Sequence, residues 1–152
     1  MKAEFYDTLN RQVLALMEDE DDLIAGMANF SALLNDNLDN INWVGFYIKK
    51  ADQLVLGPFQ GKVACTRIVI GKGVCGTAAA LDQTQLVEDV HQFEGHIACD
   101  AASNSEIVVP VHNGNDVFAV LDIDSPLLNR FDADDQKGLE ILVKSFESCL
   151  FA

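Results

Sequence analysis

Residues 106–124 read EIVVPVHNGNDVFAVLDID. Two β-rich runs, Glu106–His112 and Val117–Asp124, flank Asn113-Gly114-Asn115-Asp116, a tetrapeptide suited to a tight reversal. The pattern predicts an antiparallel hairpin. Side chains alternate across a strand, so Ala119, Leu121 and Ile123 share one face. Phe118, Val120, Asp122 and Asp124 share the other. Two carboxylates that continue an apolar strand face are costly to bury unless they bind a cation or share a proton. Glu106 opens the partner run and is placed to converge on them. The plainer reading is a solvated strand end beside Ser125-Pro126.

Working outward, Asn42–Lys49 (NWVGFYIK) is also β-rich. Alternation puts Trp43, Gly45 and Tyr47 on one face and Val44, Phe46 and Ile48 on the other. The gap at Gly45 between two rings is a candidate slot for a small ligand or a methyl group, although core packing is the commoner use of such a stripe. A turn at Lys50–Asp52 leads to a second strand, Gln53–Phe59, closing at Gly57-Pro58 or soon after. Thr66–Ile70 reads as a short strand, Gly71–Gly73 as a breaker, Val74–Leu81 as a short helix and Gln85–Glu88 as another strand. Residues 71–76 (GKGVCG) lack the G-x4-G-K-[ST] spacing of a phosphate loop. Asp89–Ser105 has no clean period and predicts a long loop, which in a compact domain usually carries function.

The flanks are helical. Phe5, Leu9, Val13 and Leu16 recur at helical spacing. An acidic run, residues 18–22, breaks that pattern and leads into a second helix along Leu23, Met27, Phe30 and Leu34. Phe131-Asp132 opens a last helix, Ala133–Leu150, with Leu139, Leu142, Val143 and Phe146 as its apolar face. The expected architecture is one α+β domain over 1–152. It has N-terminal helices at about 3–38, an antiparallel sheet of about six strands within 42–125, and a C-terminal helix at about 132–150, with the helices on one face.

The chain has 152 residues and a formal net charge of −14, which disfavours nucleic acid and anionic membranes as partners. No apolar run is long enough to span a bilayer, and the N-terminus lacks the apolar segment of an export signal. The expected location is therefore cytoplasmic, where thiols are kept reduced. Of four cysteines, Cys65, Cys75 and Cys99 are spaced C-x9-C-x23-C. No C-x2–4-C pair exists, so a zinc ribbon or finger is not expected, and no residue is assigned to a metal. Cys149 falls at helical spacing from Leu142 and Phe146 and reads as core. Cys99 differs: it lies in the irregular stretch GHIACDAAS, after His96 and beside Asp100, where a loop thiol can be an activated nucleophile.

These blocks together resemble a family. NWVGFY, LGPFQGKVAC, GKGVCGTAA, GHIACDAASNSEIVVPV and VLDIDSP, in order between about Asn42 and Asp135, are similar to the free methionine-(R)-sulfoxide reductases, enzymes of GAF fold. The resemblance implies reduction of the R epimer of free methionine sulfoxide, with no bound cofactor. It puts Cys99 at the nucleophile position, Cys65 at the resolving position and Cys75 at an auxiliary one. Glu106, Asp122 and Asp124 match the family's carboxylates, and Trp43 and Tyr47 its aromatic pocket. A Cys65–Cys99 disulfide, thioredoxin as its reductant and a homodimer are likewise implied. Glu94 stands where proline is common, and Cys149 lies outside the pattern.

The chemistry agrees with this. Sulfoxide reduction needs a nucleophile and a proton donor in one pocket. Clustered carboxylates raise at least one pKa, leaving Glu106 or Asp124 as the donor. The same acids would push the Cys99 thiol the wrong way unless His96 or backbone N–H groups offset them, or the thiol loses its proton during attack. Two other readings share the fold: a non-catalytic GAF-type small-molecule sensor, and a redox sensor. A passive binder has no need for Cys65 and Cys99 together with an acid trio; a redox sensor would use a Cys65–Cys99 disulfide to change a protein contact, and is disfavoured by the lack of an output domain, which a partner chain would have to supply.

Overall fold

The computed structural model describes residues 2–96 and 102–151. Helix α1 (Lys2–Met17) buries Tyr6, Leu9, Val13 and Met17. The expected stripe is therefore rotated by one residue: Phe5 and Leu16 are largely exposed, and Tyr6 and Met17 take their places. The cause lies in the partner. α1 packs on α4 (Ala133–Leu150), where Gly138 leaves room for the Tyr6 ring; a Cβ there would lie 2.2 Å from Tyr6 Cγ. The Tyr6 hydroxyl then donates to buried Asp135 at 2.7 Å. Asp132 caps α4 in a capping box with Asp135. Helix α2 (Leu23–Asn37) starts at Asp22, whose carboxylate accepts from Ala25 N at 2.8 Å. It buries Met27, Phe30 and Leu34 as the spacing predicts.

Six strands follow: β1 (Trp43–Lys50), β2 (Gln53–Gly61), β3 (Arg67–Val69), β4 (Gln85–Val87), β5 (Ser105–Asn113) and β6 (Asp116–Ser125). Their order in the sheet is β3-β2-β1-β6-β5-β4, antiparallel throughout. Helix α3 (Gly73–Leu81) lies between β3 and β4 in the chain, and a 3-10 turn (Val90–Gln92) lies in the described part of the expected loop. The hairpin at Gly114-Asn115 joins β5 to β6 as read from the sequence. β2 runs past Gly57-Pro58 to Gly61, because the register shifts between Gly45 and Tyr47. That bulge accommodates a proline with no N–H to give the ladder.

Two apolar layers result. Behind the sheet, Val44, Phe46, Ile107, Val109, Val111, Leu121 and Ile123 pack against α1, α2 and α4. In front, Trp43, Tyr47, Leu54, Val108 and Val120 pack with Val74, Cys75 and Ala78 of α3. The alternation read from the two strands holds except at Phe118. It sits beyond the last β1–β6 pair, Ile48–Ala119, and its ring lies 5.1 Å from Phe151 on the helix-side layer. At one edge, β4 covers only Glu106–Val108 of β5. Past it, Pro110 has no N–H, and the His112 N–H donates to Glu147 Oε2 of α4 at 2.6 Å.

Candidate active site

Register builds the site. Across three strands, Trp43 faces Asp124, which faces Glu106; Gly45 faces Asp122, which faces Val108; Tyr47 faces Val120, which faces Pro110. The first two rows bring all three acids onto the front face. Ser105 and Ser125 close the strands beside them, fully buried and paired with each other. Ser105 Oγ donates to Leu127 O at 2.6 Å, and Ser125 Oγ to Asn40 O at 2.5 Å, fixing the ends of both acid-bearing strands.

The solvated-strand-end reading fails: Glu106, Asp122 and Asp124 are 7%, 5% and 8% exposed. Cys75, in the first turns of α3, points its thiol at Glu106 Oε2, 4.0 Å away. Burial pushes the Glu106 carboxyl well above the usual carboxylate range, and Asp122 and Asp124 add to it. Burial also raises Asp122, but there hydrogen bonds with Glu106, Cys75 and Asp124 and the nearby His96 pull the other way. Glu106 is therefore pushed up with nothing opposing it, while at Asp122 burial is opposed. The Cys75 thiol is pushed well up by burial, then by Asp122 and Glu106. His96 is pushed down by its partial burial and by His91, opposing the cationic form that would offset the acids.

Trp43 and Tyr47 floor the pocket, stacked with centroids 5.9 Å apart. Their polar tips face the segment before β3: Trp43 Nε1 donates to Lys62 O at 3.1 Å and Tyr47 Oη to Cys65 O at 2.9 Å. The slot expected at Gly45 is filled. A Cβ there would lie 2.3 Å from Phe59 Cβ, and the Phe59 ring stacks on Trp43 at 5.1 Å. Glycine serves backbone approach here. The cavity, ≈ 40 Å³, is instead bounded by the acids, Cys75, both rings, Lys72, His96 and Ser103.

Cys99 lies outside the described residues, so its position as the expected nucleophile, and its expected pairing with Cys65, are not part of this geometry. Cys65 is disulfide-bonded; Cys75 and Cys149 are free thiols. Cys149 packs against the helix-side layer, as its spacing suggests. Sequence reasoning missed the clamp around Asn104. Its N–H donates to Ser125 O, its side chain to Pro126 O at 2.7 Å, and its Oδ1 meets His91 Nε2 at 3.0 Å. It also missed Lys72 and Ser103 as lining residues. Neither belongs to a periodic pattern; only the company of His and Asn in an unstructured stretch hinted at the clamp.

A six-stranded antiparallel sheet with three helices behind it and a small, acid-lined front pocket fits a GAF domain, and the GAF domain family matches residues 15–150. The free methionine-R-sulfoxide reductase of Escherichia coli (strain K12) is 57% identical, covering 98% of this chain and 90% of that protein. Among solved structures, fRMsr of Staphylococcus aureus, in complex with substrate, matches with a TM-score of 0.92 at 56% identity over 95% of each chain. The free methionine-R-sulfoxide reductase from Neisseria meningitidis, in complex with its substrate, matches with a TM-score of 0.94 at 43% identity, covering 98% of this chain and 90% of that one. Within the GAF class, this chain belongs to the free methionine-R-sulfoxide reductases.

Proposed function

We propose that this protein reduces free L-methionine-(R)-sulfoxide to methionine in the front pocket. The observation that carries the reading is the buried acid group beside two stacked rings, where burial and two neighbouring acids push the Glu106 carboxyl up. It matches what a sulfoxide needs: a proton for the oxygen, negative charge for the substrate ammonium, and an apolar floor for the thioether. Glu106 is the proton donor, with Asp124 beside it as the alternative. Asp122 and Asp124 hold the ammonium. Trp43 and Tyr47 offer ring faces to the methyl group, since their polar atoms already bond to Lys62 and Cys65.

The Cys99 thiol attacks the sulfoxide sulfur, and the oxygen takes a proton. The S–O bond breaks, methionine leaves and Cys99 becomes a sulfenic acid. The Cys65 thiol then attacks that sulfur, water leaves and a Cys65–Cys99 disulfide forms. A thioredoxin dithiol reduces it by exchange. The disulfide-bonded state of Cys65 supports its resolving role, and the free, high-pKa Cys75 thiol suits an auxiliary one. A cytoplasmic homodimer is the form in which we expect it to act. Supplied with thioredoxin, thioredoxin reductase, NADPH and the free R epimer, the protein should oxidise NADPH, and Cys99→Ser should abolish this. No turnover by the parent chain would sink the reading and leave a GAF-type sensor.

A further inference from the structure

We propose that Cys75, Glu106 and Asp122 form a binding site for one divalent, borderline-soft metal ion, Zn²⁺ above all, and that this ion and the substrate exclude one another. The exclusion rests on the function proposed above; the metal site does not.

Geometry comes first. α3, β5 and β6 each contribute one of these residues, and all three are buried. One ligand atom from each lies within 4.8 Å of the others. Zn–S bonds are near 2.3 Å and Zn–O bonds near 2.0–2.2 Å, which puts tetrahedral ligands about 3.3–3.7 Å apart. The Cys75 Sγ to Glu106 Oε2 distance of 4.0 Å needs a shift of only a few tenths of an ångström. Asp122 supplies an independent pointer. Its Oδ1 is buried with no hydrogen-bond partner among the described residues, an arrangement that leaves a carboxylate oxygen asking for a ligand. One thiolate and two carboxylates suit zinc better than magnesium or calcium, which take oxygen alone.

Charge is compatible with loading. A divalent ion here would meet a thiolate and two carboxylates, so its charge would be balanced by its own ligands within the buried site, and binding would release protons from them.

The test uses the full chain purified without reductant, so that Cys75 and Cys149 are the free thiols, with Co²⁺ as the optical probe. One equivalent of Co²⁺ should produce a thiolate-to-cobalt charge-transfer band, and Zn²⁺ should displace it. Cys149→Ser should keep the band and Cys75→Ser should lose it while retaining its far-ultraviolet dichroism. Glu106→Gln and Asp122→Asn should each weaken binding at least tenfold, since even outer partners of a ligand are worth about 10–100-fold. Affinity should climb with pH, because protons leave on binding. A band that is absent, that survives Cys75→Ser or that vanishes in Cys149→Ser overturns the site. Free methionine sulfoxide should release the Co²⁺; retention of the ion at saturating substrate overturns the exclusion alone. Failure of the metal-free parent to turn over in the NADPH assay would count against the function and leave the cobalt spectrum untouched.

Discussion

Glu106 is where the energetics of the site concentrate. Burial, then Asp122 and Asp124, push its carboxyl well above the usual range in the fold. In the unfolded chain it titrates near 4.3. Above that pH the folded state holds a proton that the unfolded state has lost, so stability falls as pH rises, by up to about 1.36 kcal/mol per unit, until the raised folded value is passed. Glu106→Gln removes this slope. We expect the variant's Tm relative to the parent to climb between pH 5 and 8, read by calorimetry, while its turnover drops sharply at every pH. A constant Tm difference would show that Glu106 is ionised in the fold. At this scale the sequence was legible for the acids, since two carboxylates on an apolar strand face signal burial. It was silent on Asn104 and Ser103, whose roles depend on which strands meet.

At the level of elements, the β1–β2 ribbon shows how a correct pattern can carry a wrong inference. Trp43, Gly45 and Tyr47 do share a face, but the space over Gly45 belongs to the Phe59 backbone and ring, not to a ligand. Alternation along one strand cannot report a bulge in its neighbour. Gly45→Ala drives a Cβ to 2.7 Å from Phe59 Cα, against backbone that cannot swing aside. We expect a loss of about 2–3 kcal/mol in urea unfolding, with turnover falling too, because the same strand carries the pocket's rings. A loss under about 0.5 kcal/mol would mean the ribbon is looser than described. Helix α1 teaches a related lesson. Its period was readable, but Tyr6 and Met17 rather than Phe5 and Leu16 face inward, because Gly138 and Asp135 on a helix far along the chain reward a tyrosine there.

Over the whole molecule, the terminal helices α1, α2 and α4 lie on the face of the sheet opposite the site, so much of the stability is separable from the chemistry. Gly138→Ala places a Cβ against the Tyr6 ring and forces it off Asp135. We expect about 2 kcal/mol of destabilisation and faster amide exchange in residues 2–17, with kcat unchanged within about twofold at a temperature where the variant is folded. A comparable fall in kcat would mean the two faces are coupled. The α+β order, the N- and C-terminal helices on one face and the hairpin that bears the acids were all legible, because each rests on local periodicity; strand order and the meeting of the acids with Cys75 arise only from long-range pairing. The uncovered stretch of β5 beyond β4 has its own consequence. Val109–Val111 is an apolar β-forming run at the rim of a sheet, the kind of segment that recruits strands from other molecules. Here Pro110 brings no donor and Glu147 already occupies the His112 amide, so an incoming strand finds an incomplete ladder. The chain is thereby guarded against edge-to-edge aggregation, and the guard is set by one proline and one glutamate that take no part in the chemistry.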